Sequence, residues 1–214
     1  ESGINTFRDD DGLWEQYDIQ AVATPEGYAT DPQRVLNFYN LARKKLPEFK
    51  PNAAHLALAK LQKEHNGNVT IITQNVDDLH ERDTGAKVIH MHGDLLSGMC
   101  NSCGAKWDQQ DDQTLDQKCN VCGEKTCRPN VVWFGEMPYH MSKIQKIMSN
   151  VDIFVSIGTS GEVYPAAGFA AEAHQHGAQT IEININPSGN RHFSRVINGP
   201  AAEVVPEWVD EILK

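Results

Sequence analysis

Cys100-x2-Cys103-x15-Cys119-x2-Cys122 restricts this chain more than any other feature of it. Each pair sits on a short turn, "CNSCG" and "CNVCG", with a glycine after the second cysteine. Such turns aim two thiolates at one tetrahedral ion, at about 2.3 Å from each sulfur. Four thiolates close the shell and leave no position for water or substrate, so the spacing predicts a structural zinc ion. Residues 97–128 are rich in Cys, Gly, Asp and Gln and poor in large apolar side chains. They read as an inserted module that depends on its metal to fold. The alternatives are a coincidental pair of pairs or a dithiol redox motif. Cys127 is left over and reads as packing or a bland surface position. Four of five cysteines in two tight pairs fit a reduced, cytoplasmic metal site better than a disulfide scaffold.

Many small zinc modules bind nucleic acid, but Lys106, Lys118 and Lys125 here face Asp108, Asp111, Asp112, Asp116 and Glu124. The whole chain carries a formal net charge of −10. Both balances argue against a phosphate backbone as partner and suit a basic one, such as a lysine-rich peptide. No run of 18 apolar residues appears, and no signal peptide opens the chain, so neither a membrane span nor export is expected.

Outside the module, 214 residues leave room for one further core. Residues 1–30 are polar and aperiodic and read as loop. Asp31 caps a helix with Pro32 at its first position, and Val35, Phe38, Tyr39, Ala42 and Leu46 recur at helical spacing. "NAAHLALAKLQKEHNG" is a second helix. "VTIIT", "KVIHM", "VDIFVSI" and "TIEINI" are short apolar runs of parallel-strand type, and "PAAGFAAEAHQHGA" and "PEWVDEILK" are helices. The rhythm predicts an α/β fold: a Rossmann-like parallel sheet with helices on both faces, formed by residues 1–96 and 129–214, plus the inserted four-cysteine module.

Polar residues gather at the strand ends, where such sheets bind ligands. His90 and His92 alternate with Met91 and point to one face; either suits a general base, or each is a satisfied structural histidine. Gly93 follows and allows close approach of another group. Gln74, Asn75 and Asp77 suit hydrogen bonding to a carboxamide or ribose. Gly158, Thr159 and Ser160 offer backbone and hydroxyl donors. Singly, each cluster also reads as a helix cap; together they favour a nucleotide site.

The segments "ESGINTFR", "TQNVDDLH", "HMHG", the four-cysteine module, "VVWFGEMP", "GTSGEVYP" and "ININP" resemble, in family order, the sirtuin family of NAD-dependent protein-lysine deacylases, nearest its bacterial CobB-like branch. The resemblance implies a cleft that takes NAD and an acyl-lysine peptide. It implies His92 as base and Gln74, Asn75, Val76 and Asp77 around the nicotinamide and its ribose. Phe7 and Arg8 would lie on a cofactor loop, and Gly158, Thr159, Ser160, Asn184, Ile185, Asn186 and Ala201 on the adenosine side. Val132, Phe134, Gly135, Glu162 and Val163 would flank the peptide as added strands. By the same resemblance the acyl oxygen would attack C1′ of the nicotinamide ribose as nicotinamide leaves. His92 would then deprotonate a ribose hydroxyl, and the products would be lysine, nicotinamide and O-acyl-ADP-ribose. The zinc would stay outside this chemistry. Mono-ADP-ribosyl transfer and a non-catalytic NAD- or peptide-binding module are the alternatives.

Two departures stand out. The family's first strand and Gly-Ala-Gly-x-Ser phosphate loop precede "ESGI", so the chain beginning at Glu1 is expected to lack both and to bind NAD weakly. The branch that removes acidic acyl groups carries Tyr-x-x-Arg after "ATPEG"; here Tyr39 is followed by Ala42 at that spacing and Arg43 one later. Tyr39 and Arg43 are expected either to grip a succinyl or malonyl carboxylate, or to leave Arg43 in solvent beside Lys44 and Lys45. Ala23 resembles the small residue that keeps the acyl pocket roomy.

Overall fold

The structure, a computed structural model, describes residues 18–214. Two short helices open it, α1 (Ile19–Val22) and α2 (Pro25–Thr30), where the sequence reads as loop. The reason is local. Asp18 caps α1 by accepting from the Gln20 N–H, and Thr24 caps α2 by accepting from Gly27, with Pro25 in the first turn. Both are too short to show a periodicity. Helix α3 (Pro32–Lys45) starts at the Asp31 cap as expected, and α4 (Ala53–Glu64) starts at Asn52. Asn52 Oδ1 accepts from the Ala54 and His55 N–H groups while His55 Nδ1 accepts from the Asn52 N–H, a reciprocal cap with histidine in the usual glutamate position.

Strands β1 (Ile71–Thr73) and β2 (Val88–His90) pair in parallel, with Ile71 opposite Val88 and Thr73 opposite His90. The chain then turns at Met91–His92 into three antiparallel strands, β3 (Gly93–Cys100), β4 (Lys106–Asp108) and β5 (Cys127–Val131), in the order β4-β3-β5. This sheet reaches beyond residues 97–128 at both ends. Gly93 makes the turn possible: its φ is +88°, and a Cβ there would lie 2.0 Å from the Asn130 carbonyl oxygen.

Helix α5 (Met141–Met148) had no clear sequence signal. Strand β6 (Ile153–Ile157), helix α6 (Phe169–Gln175), strand β7 (Gln179–Asn184), strand β8 (Arg195–Asn198) and helix α7 (Ala201–Ile212) complete the chain. A 3₁₀ turn, Ala166–Gly168, takes up the start of the segment read as one helix. Helix α7 begins five residues before the expected Pro206, which lies inside it; Val205, Trp208 and Val209 form its buried stripe. Strands β6, β7 and β8 form a second parallel sheet, with Ile157 opposite Ile183 and Ile183 opposite Ile197.

Helices cover both faces. Val155, Ile157, Ile181 and Ile183 pack with α4 and α7 on one side. Phe154, with Ile72 and Ile89, packs with Ile144, Met148 and Phe169 on the other. Alternate residues of β6 thus serve opposite layers, as the pleat requires. A third cluster holds α1, α2 and α3 against Leu95, Val131 and Trp133. Among the described residues, no helix is long and apolar enough to cross a membrane.

Candidate active site and metal centre

The carboxyl ends of β1, β6 and β7 converge. Gln74 Nε2 donates to Thr159 Oγ1 at 3.3 Å, Asn184 Nδ2 donates to the Thr159 carbonyl at 2.8 Å, and Asn198 Nδ2 reaches the Asn184 and Ile185 carbonyls. One ladder of amides therefore links the strand-end clusters, and Asn198 is a member that sequence reasoning missed because β8 itself gave no signal. A cleft of about 550 Å³ opens there, lined by Gly158 to Glu162, Asn184, Asn186, Ser188 and Asn190. Ser188 and Asn190 were also missed. Ile185 is half exposed at its rim, whereas Ala201 packs against the apolar cluster under α7 and does not line the cleft. Phe7 and Arg8 lie outside the described residues.

The loop after β1 is pinned from within. Thr73 Oγ1 accepts from the Asn75 N–H, Asp77 Oδ1 from the Leu79 N–H, and the Val76 carbonyl from the Leu95 N–H. Burial raises the pKa of Asp77 more than the bond from the Leu79 N–H lowers it.

The two histidines separate here. His90 Nε2 lies 2.6 Å from Glu81 Oε1 and its Nδ1 lies 3.3 Å from the Asn75 carbonyl. Both partners only accept, so the ring is fully engaged as a donor. Burial by itself lowers its pKa, but the Glu81 contact outweighs this and the net shift is upward. Among the described residues, the His92 ring is hydrogen-bonded only to the Gln74 carbonyl, through Nδ1 at 3.1 Å. A carbonyl accepts, so Nδ1 must carry the proton and Nε2 keeps its lone pair. Burial lowers the His92 pKa more than that bond raises it, which keeps the ring neutral and able to take a proton. Both ring nitrogens of His90 are engaged, whereas His92 is engaged through Nδ1 alone among the described residues. His92 does not lie on a strand but in the turn before Gly93, and its own carbonyl accepts from the Val132 N–H at 2.8 Å.

On the far side of this turn, Phe134 donates its N–H to the Ala23 carbonyl and shows 44% of its surface, beside exposed Gly135 at φ +89°. Glu162 is exposed and Val163 half-buried. Tyr39 is buried, and its hydroxyl accepts from Trp133 Nε1 at 3.0 Å. Arg43 corrects the expectation that it lies in solvent. At 3% exposure it donates through Nε to the Leu95 carbonyl and through Nη1 to Asn40 Oδ1, both at 3.0 Å. The extra residue relative to Tyr-x-x-Arg rotates it about 100° around α3, toward Asp111–Gln113 of the cysteine module, where Asn40 pairs with the Gln113 backbone.

The four sulfurs of Cys100, Cys103, Cys119 and Cys122 lie within 4.8 Å of one another, with Cys100–Cys122 and Cys103–Cys119 both at 3.6 Å. A tetrahedron of about 2.3 Å zinc–sulfur bonds has edges of about 3.8 Å, so the set fits one zinc ion. No histidine joins it among the described residues. Cys127 is buried behind it, paired with Cys100 across the β3–β5 ladder.

A family model described as "Sir2 family" matches residues 1–165. The chain belongs to the Sir2 family. It is 50% identical to the NAD-dependent protein deacylase SIR2rp3 of Trypanosoma brucei brucei, over 100% of this chain and 90% of that one. It is 52% identical to an NAD-dependent protein deacylase of Escherichia coli (strain K12), over 100% and 78%. Among solved structures, a Sir2 homolog–NAD complex superposes with a TM-score of 0.89 at 36% identity, covering 100% of this chain and 86% of that one. Sir2Af2 bound to a myristoylated histone peptide gives 0.73 at 29% identity, over 90% and 84%. Within this Sir2 chain, His92 and the four cysteines are neighbours in sequence, but no described histidine joins the sulfur cluster.

Proposed function

We propose that this Sir2 chain removes acyl groups from protein lysines at the expense of NAD, with His92 as the general base. The observation that carries the assignment of the base is the single acceptor contact of His92 among the described residues, which leaves Nε2 available beside the polar strand ends. The chain is an NAD-dependent protein deacylase. NAD supplies an electrophilic ribose carbon and a good leaving group, which explains why no serine or cysteine nucleophile is needed. Gln74, Asn75, Val76 and Asp77 would hold the nicotinamide ribose, and Gly158, Thr159, Ser160, Asn184 and Asn186 the adenosine half; their amides, hydroxyls and backbone donors suit hydroxyl and phosphate groups. His92 would accept a ribose hydroxyl proton at Nε2 and pass it on as the acyl group moves.

Val132–Gly135 and Glu162–Val163 would flank the acyl-lysine peptide. Acetyl-lysine is the expected substrate, because the contacts of Arg43 give no support to a carboxylate grip. The metal module keeps the antiparallel sheet in place and takes no part in the chemistry, and its free thiol ligands suit a reducing, cytoplasmic setting. The test is incubation with NAD and an acetyl-lysine peptide, followed by mass spectrometry. Equal amounts of deacetylated peptide, nicotinamide and O-acetyl-ADP-ribose are expected. ADP-ribosylated protein, or binding without turnover, overturns the reading.

A further inference from the structure

Arg128 lies outside the site already described, and all three of its guanidinium nitrogens donate. It is 3% exposed and is the second residue of β5. Nη1 and Nη2 meet the two carboxylate oxygens of Glu136 side by side, both at 2.7 Å, and Nη2 also donates to the Val131 carbonyl at 2.8 Å. The guanidinium lies 3.6 Å from the centre of the Trp133 ring. Glu136 Oε2 accepts from the Trp133 N–H at 2.8 Å, and the Glu136 N–H returns a bond to the Trp133 carbonyl. Residues 131, 133 and 136 are therefore tied to one guanidinium, and Val132 to Gly135, of which Phe134 and Gly135 are exposed, form the loop that this ring closes.

That loop touches the site at two points. The Val132 N–H holds the His92 carbonyl, and the Phe134 N–H holds the Ala23 carbonyl. A buried ion pair adds little net stability over apolar packing of the same shape; what a bidentate, stacked arginine supplies is a fixed geometry. We propose that the Arg128–Glu136 pair is a positioning device that holds Val132–Gly135 as the edge along which the acyl-lysine peptide lies, and so sets peptide affinity. The proposal rests on the deacylase reading, since it is that reading that places the peptide there. Neither residue touches the reacting atoms.

Glu136→Gln is the informative variant, because the amide keeps an acceptor for the Trp133 N–H and loses only the charged fork. Arg128→Lys keeps the charge and loses the fork and the stacking. Calorimetry on the full chain should show acetyl-lysine peptide binding weakened about tenfold or more in both, with ADP-ribose binding changed less than twofold. Peptide affinity within twofold of wild type in both variants overturns the proposal. So does an equal fall in both affinities, which marks a merely structural pair. Hydrogen exchange supplies a reading that needs no substrate: amides 132–135 should exchange faster in Glu136→Gln while the rest of β5 does not. If the wild type neither binds nor deacylates the peptide, the deacylase reading fails by itself; unchanged exchange at 132–135 then overturns the positioning role separately, and faster exchange confined there upholds it.

Discussion

Replacing Arg43 by Met separates a structural arginine from a substrate-gripping one. In the wild type, its guanidinium makes two good bonds, to the Leu95 carbonyl and Asn40 Oδ1, and a longer one of 3.4 Å to the Asp111 carbonyl. Hydrogen bonds from a charged donor contribute about 1.5–3 kcal/mol each, so two give roughly 3–6 kcal/mol gross. Part of this is offset already, because Nη2 is buried with no partner among the described residues, at a cost of about 1–3 kcal/mol. Methionine fills most of the volume but leaves the Leu95 carbonyl without its donor. The net loss is about 2–3 kcal/mol. For a chain of this size that lowers Tm by roughly 4–12 °C, measured by calorimetry or a thermal-shift scan. The ratio of deacetylation to desuccinylation kcat/KM should stay within twofold of wild type. A variant with unchanged Tm and selectively lost desuccinylation would refute the reasoning and return Arg43 to the acyl pocket.

His92→Tyr should abolish deacylation with little change in Tm, because the ring makes one hydrogen bond among the described residues; His90→Ala should instead lower Tm, because it frees Glu81, and cost activity much less, and steady-state rates with parallel melts distinguish the two. Deacylation should fall as pH drops through the lowered His92 pKa, below the usual histidine value near 6.5, since only the neutral ring takes a proton; a rate that rises toward acid sinks the base assignment. His80 is held at about 4, first by burial and then by the nearby His55. A depressed histidine gives stability that is complete above the unfolded value near 6.5 and is lost as pH falls toward 4, here up to roughly 3 kcal/mol, and urea melts of His80→Leu should show a flatter slope across that window. Chelating the metal, or Cys100→Ser, should unfold the β3–β4–β5 sheet, whose own buried cluster is little more than Cys100, Cys119 and Cys127 with Ala105 and Trp107 against them. Circular dichroism and activity should recover together when zinc is restored and go no higher with excess.

What the sequence determined by itself was carried by short-range chemistry. Two Cys-x2-Cys turns were enough to specify the four-sulfur centre, and Asp31-Pro32 and Asn52 were enough to start α3 and α4, because capping and thiolate spacing act within a few residues. The apolar runs of β1, β2, β6 and β7 announced a parallel sheet covered on both faces. Alternation about Met91 put His90 and His92 on one side, but nothing within the chain's local pattern told them apart. Tertiary structure did, by placing Glu81 against one ring and a lone carbonyl against the other. It also decided Arg43, since a one-residue offset on a helix changes which neighbour a side chain meets, and it joined Gln74, Thr159, Asn184 and Asn198 from four separate strand ends. Strand β8 and the Arg128–Glu136 ring escaped the sequence for the same reason: their partners are brought close only by the packing of the sheets, and a pairing that exists only in three dimensions leaves no periodicity to read.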